Sequence, residues 1–138
     1  MKELEQRRSF PSTPASAAQA RRFVEAVLRT AHLDHLSYVA TMLVSELVAN
    51  AVLHTGTPLV VVVSPDGDHL RVEVHDGSAQ LPVRKHYSIM SGTGRGLLLV
   101  ERMATDWGST PTADGKVVWF ELDGRSAPAI DVLGVDAV

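Results

Sequence analysis

Three short stretches of this chain carry side chains whose types and spacing can do chemistry. Glu46-Leu47-Val48-Ala49-Asn50 sets a carboxylate and a carboxamide one turn apart if the segment is helical. Val74-His75-Asp76-Gly77-Ser78 ends an alternating run on an aspartate, and Gly92-Thr93-Gly94-Arg95-Gly96-Leu97 is a glycine-rich turn leading into apolar residues. In chain order they offer a carboxylate to handle a water or hydroxyl, an oxygen ligand for a metal, an acceptor for a base and a cradle for phosphates.

Winding residues 43–54 at about 100° each collects Leu43, Val44, Leu47, Val48 and Ala51 into a broad apolar arc. Glu46, Asn50 and His54 fall within about 80° of one another at its border. A carboxylate and a carboxamide at the edge of a buried surface need partners. A magnesium ion held by the asparagine carbonyl, together with an ordered water, would supply them. Taken alone, the pair also reads as solvated polar residues, and His54 as a surface residue or a helix-terminal cation. Asp76 projects beside the core, where its carboxylate can accept a hydrogen bond from an exocyclic amine such as that of adenine. An Asp-Gly turn after a strand is the plainer alternative.

In the third stretch, glycines allow close approach of backbone to phosphate. A helix starting near Gly96 would aim its first amides at the anion. Thr93 adds a hydroxyl, and Arg95 either contacts phosphate or lies on the surface. The segment lacks the Gly-Lys-[Ser/Thr] ending of a P-loop and does not follow directly on a strand as a Rossmann turn does. By itself it also reads as a flexible loop capped by glycine before a helix.

The elements that must position these residues are legible from periodicity. Residues 1–12 are charged and polar and read as an N-terminal tail; residues 13–123 form the domain, and 124–138 a C-terminal tail. Thr13-Pro14 opens an amphipathic helix over residues 14–31, with Ala17, Ala20, Phe23, Val24, Val27 and Leu28 on one face. A longer helix fits 35–54 and stops near Thr55-Gly56-Thr57-Pro58. Residues 59–63 read as a buried strand, Ser64-Pro65-Asp66-Gly67-Asp68 as a turn, and residues 70–74 as a half-buried strand paired with the first. Residues 77–93 are the one long loop. Leu97 to Met103 reads as a helix, and residues 106–110 and 116–122 as a hairpin around Ala113-Asp114-Gly115. This order predicts an α+β fold, a two-layer α/β sandwich with a mainly antiparallel sheet and helices on one face.

Bulk properties narrow the function classes. A chain of 138 residues with 45% hydrophobic and 21% charged residues suits one globular domain. A net charge of −3 offers no general attraction to nucleic acid. The absence of cysteine removes disulfides, thiol nucleophiles and thiolate-bound zinc. No apolar run is read as a membrane span and no signal sequence is visible, so a cytoplasmic location is expected.

Together the motifs resemble the GHKL, or Bergerat-fold, ATP-binding superfamily. Glu46-x-x-x-Asn50 is similar to its N-box, Asp76-Gly77-Ser78 to its first glycine box, and Gly92 to Leu97 to its second; the likeness runs from about residue 9 to residue 122. The wording from Leu43 to Val52, with Leu53-His54, is most similar to the small anti-sigma-factor serine/threonine kinases and the stand-alone ATP-binding regulators of actinomycetes. The resemblance implies ATP and Mg2+ as ligands. It makes Glu46 the general base, Asn50 the magnesium ligand and Asp76 the holder of the adenine amino group. Ser78, Thr93, Gly94, Arg95, Gly96 and Leu97 complete the nucleotide contacts, with residues 77–93 as a lid. It also implies a sigma factor and a STAS-type anti-anti-sigma protein as partners, and pairing into a homodimer. Ser78 and Gln80 replace the two glycines of the fuller Asp-x-Gly-x-Gly box, and the short lid is sparse in basic residues. Two functions follow. The first is a protein serine/threonine kinase that sequesters a sigma factor; the second is a nucleotide-gated binding module that transfers little or no phosphate.

Overall fold

The computed structural model describes residues 4–77 and 100–125. Within them the chain forms β1 (Gln6–Phe10), α1 (Ala15–Thr30), a 3-10 turn (Asp34–Leu36), α2 (Ser37–Thr55), β2 (Leu59–Asp66), β3 (His69–Asp76), β4 (Asp106–Pro111) and β5 (Lys116–Asp123). The five strands make one sheet in the order β1-β2-β3-β5-β4, and every neighbouring pair is antiparallel. The two helices pack on each other and on one face of that sheet. This is the expected α+β sandwich.

Both helices end where local chemistry dictates. Pro14 has helical angles (φ −58°, ψ −30°) and starts α1, where its missing N–H costs nothing. At the other end His32 sits at φ 59°. The Leu33 amide bonds back to the Leu28 carbonyl at 2.8 Å and the His32 amide to Arg29 at 3.2 Å, a Schellman arrangement without glycine. Leu33, 2% exposed, then plugs the core. Gly56, at φ 66°, terminates α2.

Alternation sets the two faces of the sheet. Val61, Val63, Leu70, Val72, Val74, Phe120 and Leu122 point at the helices and are buried with Val24, Leu28, Leu43 and Val44. Val100 and Met103, in a last helical turn before β4, join the same core. On the opposite face the Arg71 guanidinium lies 4.1 Å from the Trp119 ring centroid and bonds Glu73 at 2.8 Å and Glu121 at 2.9 Å. Burial alone would push the Glu73 carboxyl up, but hydrogen bonds from Arg71 and His75 outweigh it and hold it below its usual value. Its contribution to stability is therefore present above the ordinary carboxylate range and lost as pH falls through the lowered value.

Two sequence expectations are corrected. Residues 1–12 are not all tail, because Gln6–Phe10 pairs with β2 from Gln6–Val63 to Phe10–Leu59. As an edge strand with only Phe10 buried, it needs no apolar alternation, which is why none marks it. The β2–β3 hairpin is tighter than expected: Asp66 pairs with His69, leaving only Gly67 and Asp68 in the loop. Gly67 at φ 62° takes the glycine-first position that the strand twist favours. Pro65 is tolerated within β2 because pairing to β1 ends at Val63. Finally, Asp34–Thr55 is long and apolar enough to cross a membrane by length and composition. Its apolar residues from Val39 to Ala51 instead form the centre of the core.

Because Phe120 is a fully buried side chain on β5, an interior strand of the sheet, Phe120→Ala should cost about 3–5 kcal/mol. Urea unfolding should show this as a lower midpoint with an unchanged slope.

Candidate nucleotide site

α2 packs over β3, and the turn that follows the helix is bonded to the residue that follows the strand. Asn50 is 3% exposed, and Glu46, one turn earlier, is half-buried. The helix places both on the side the sequence predicts, at the margin of Leu43, Leu47 and Ala51. His54 is exposed in the last turn.

Hydroxyl groups tie the end of this helix to the end of β3. Thr55 Oγ1 donates to the Ala51 carbonyl at 2.9 Å, and the Thr57 amide donates to Thr55 Oγ1 at 3.2 Å. Thr57 Oγ1 in turn accepts the Gly77 amide at 2.9 Å. The chain of contacts holds Asp76-Gly77 at a set distance from the helix that carries Glu46 and Asn50.

Asp76 is the last residue of β3 and faces the helices, in register with Leu70, Val72 and Val74. Its partner across the ladder is Lys116, the first residue of β5. Lys116 Nζ stands 3.1 Å from Oδ1 and 2.9 Å from Oδ2, and the two side chains are 3% and 2% exposed. Next to them Gly115 runs so close that a Cβ would sit 1.9 Å from the Asp76 carbonyl oxygen and 2.7 Å from Gly77 Cα. Only glycine fits there.

Thr57 thus links the chain just after α2, the helix that carries Glu46 and Asn50, to the end of β3 that carries Asp76. Ser78, Thr93, Gly94, Arg95, Gly96 and Leu97, with Gln80, Arg84 and Lys85, lie outside the described residues. Among the described residues, sequence reasoning missed Lys116, Gly115 and Thr57. Lys116 had a usable signal, since it falls on the same alternation as Val118, Phe120 and Leu122 and must point inward. An inward lysine needs a counter-ion, and the inward Asp76 is the matching one.

The donor set fits a nucleotide with a divalent cation. A buried carboxamide and a half-buried carboxylate supply oxygen ligands of the kind magnesium takes. Asp76 supplies an acceptor at the rim of the sheet, beside the exposed Gly77. Among the described residues no group of three or more acidic or histidine side chains is arranged to hold a metal.

Residues 10–122 match the histidine kinase-like ATPase domain model, and the chain belongs to that family. It is an ATPase-type, ATP-binding domain of the GHKL kind, and the five-stranded sheet under two helices is the fold expected of it. Nothing among curated proteins matches the chain.

Gly115→Ala should destabilise the fold by about 3 kcal/mol, because backbone rather than a movable side chain blocks the methyl group. A thermal melt should show the midpoint lower by roughly 10 °C.

Proposed function

We propose that this protein is an ATP-binding regulator of the anti-sigma type, which phosphorylates a serine or threonine on a STAS-type antagonist and sequesters a sigma factor. The observation that carries the reading is the pairing of half-buried Glu46 with buried Asn50, one turn apart on α2, the helix whose following turn is bonded through Thr57 to the residue after Asp76. A site that only binds nucleotide has little need of a carboxylate beside its metal ligand.

In this reading each residue has a separate task. Asp76 accepts the amino group of adenine, and Asn50 lends its carbonyl oxygen to magnesium. Glu46 orients the incoming hydroxyl and takes its proton as the new phosphate ester bond forms, while the bond from the γ-phosphorus of ATP to its bridging oxygen breaks and ADP leaves. Bound magnesium supplies neutralisation of the phosphate charge. Positioning and electrostatics do most of the work in phosphoryl transfer, so one well-placed carboxylate suffices as base. Phosphate contacts fall to Thr93, Gly94, Arg95 and Gly96, with Ser78 and Leu97 completing the pocket.

A second reading is favoured by Ser78 and Gln80, which replace both glycines after Asp76. The protein is then a nucleotide-gated module that captures its partner without transferring phosphate. In either case a homodimer would use the α1–β1 side. There β1 is the terminal strand of the sheet, and Arg7 and Arg8 keep it from unselective pairing.

Glu46→Ala should lower phosphotransfer by about 100-fold or more while leaving ATP affinity within about threefold. Asn50→Ala should instead remove the magnesium dependence of ATP binding. Calorimetry with and without magnesium, alongside transfer of labelled phosphate to a STAS-domain protein, separates the two. Phosphotransfer that survives Glu46→Ala would eliminate the kinase role assigned to it.

A further inference from the structure

Lys116 has no part in the chemistry described so far, yet it is the most deeply buried cation among the described residues and it contacts the candidate base acceptor. A buried ion pair is poor at stabilising a fold, since apolar residues of similar volume do as well or better. The pair also sits at the rim of the sheet, at the last residue of β3 and the first of β5, rather than in mid-core. What it presents at that rim is therefore the more informative question.

An ammonium has three donors. One is donated to Asp76 Oδ1 at 3.1 Å, and Oδ2 lies in ionic contact at 2.9 Å. Among the described residues Lys116 has no other acceptor, although its side chain is 3% exposed. A carboxylate has about four acceptor sites, so Asp76 can keep Lys116 and accept from other donors as well. The result is a carboxylate acceptor and a cationic donor side by side, fixed by the ladder and by the close approach of Gly115.

We propose that Lys116 reads the base together with Asp76, a further proton of its ammonium donating to the ring nitrogen N1 of adenine while Asp76 accepts the neighbouring amino group. This rests on the nucleotide-binding reading above and adds to it a specificity-determining residue. The pair matches the donor–acceptor order of the adenine edge. In the same pose guanine places its O6 against the carboxylate and its N1–H against the ammonium, leaving both charges opposed. Lys116 thus selects against guanine as well as for adenine, which a lone carboxylate does not do.

The test is a binding series on the full chain with ATP, 1-deaza-ATP (N1 replaced by C–H) and GTP, repeated on Lys116→Met. A hydrogen bond from a charged donor is worth roughly 10- to 100-fold in affinity, so the wild-type protein should bind 1-deaza-ATP that much more weakly than ATP and GTP more weakly still. In Lys116→Met the ATP to 1-deaza-ATP ratio should collapse to within about threefold. Should that variant not fold, Lys116→Met combined with Asp76→Asn removes both charges together, and the same collapse is expected. Equal binding of ATP and 1-deaza-ATP by the wild-type protein overturns the proposal. So does a variant in which both ligands weaken in proportion and the ratio persists, which would make Lys116 structural only. Absence of any ATP binding by the wild-type protein overturns the nucleotide reading itself, and this inference with it.

Discussion

The register of β3 against β5 is the constraint on which the rest of the structure depends. Pairing runs from His69–Asp123 to Asp76–Lys116 and decides which residues enter the core. With it, Val72, Val74, Val118 and Phe120 face the helices while Arg71, Glu73 and Trp119 face away. A slip of one residue would exchange those sets and bury the charged network. The same register sets Lys116 opposite Asp76. Core and candidate site are thus specified by one ladder.

Polar groups in the candidate site are carried inward by the apolar residues beside them. Asn50 is buried because Leu47, Val48 and Ala51 on either side of it are packed against α1 and the sheet. The carboxamide goes where the helix goes. Asp76 likewise follows Leu70, Val72 and Val74 inward, and its desolvation is offset by Lys116 arriving on the next strand. Thr55 and Thr57 add the directional link that packing lacks, joining the helix end to the Gly77 amide. Rigid elements carry the groups, and short hydrogen bonds set their spacing.

The two faces of the sheet show how little a strand's own composition says about its surroundings. Arg71 stacks on Trp119 and joins Glu73 and Glu121, so the outer face is covered by long charged side chains rather than by another layer. Val62 is 2% exposed on that face without belonging to the main core. Arg7, its neighbour across the β1 ladder, belongs to the same polar cover.

Much of the fold was legible in the sequence because its signals are local. The 3.6-residue period of α1, the apolar arc of α2 with its glycine stop, and the alternation of residues 70–74 and 116–122 each follow from side-chain burial within one element. Glu46 and Asn50 shared a face for the same reason, and Asp76 ended a strand. Strand β1 was not legible, since an edge strand with one buried residue carries no period. The sheet order and the Lys116–Asp76 pair were also hidden, because they join residues 40 positions apart. Sequence alone determined which side chains point toward the core. Only the tertiary structure decided which inward charges meet, because that depends on strand pairing, a long-range choice that no single element encodes.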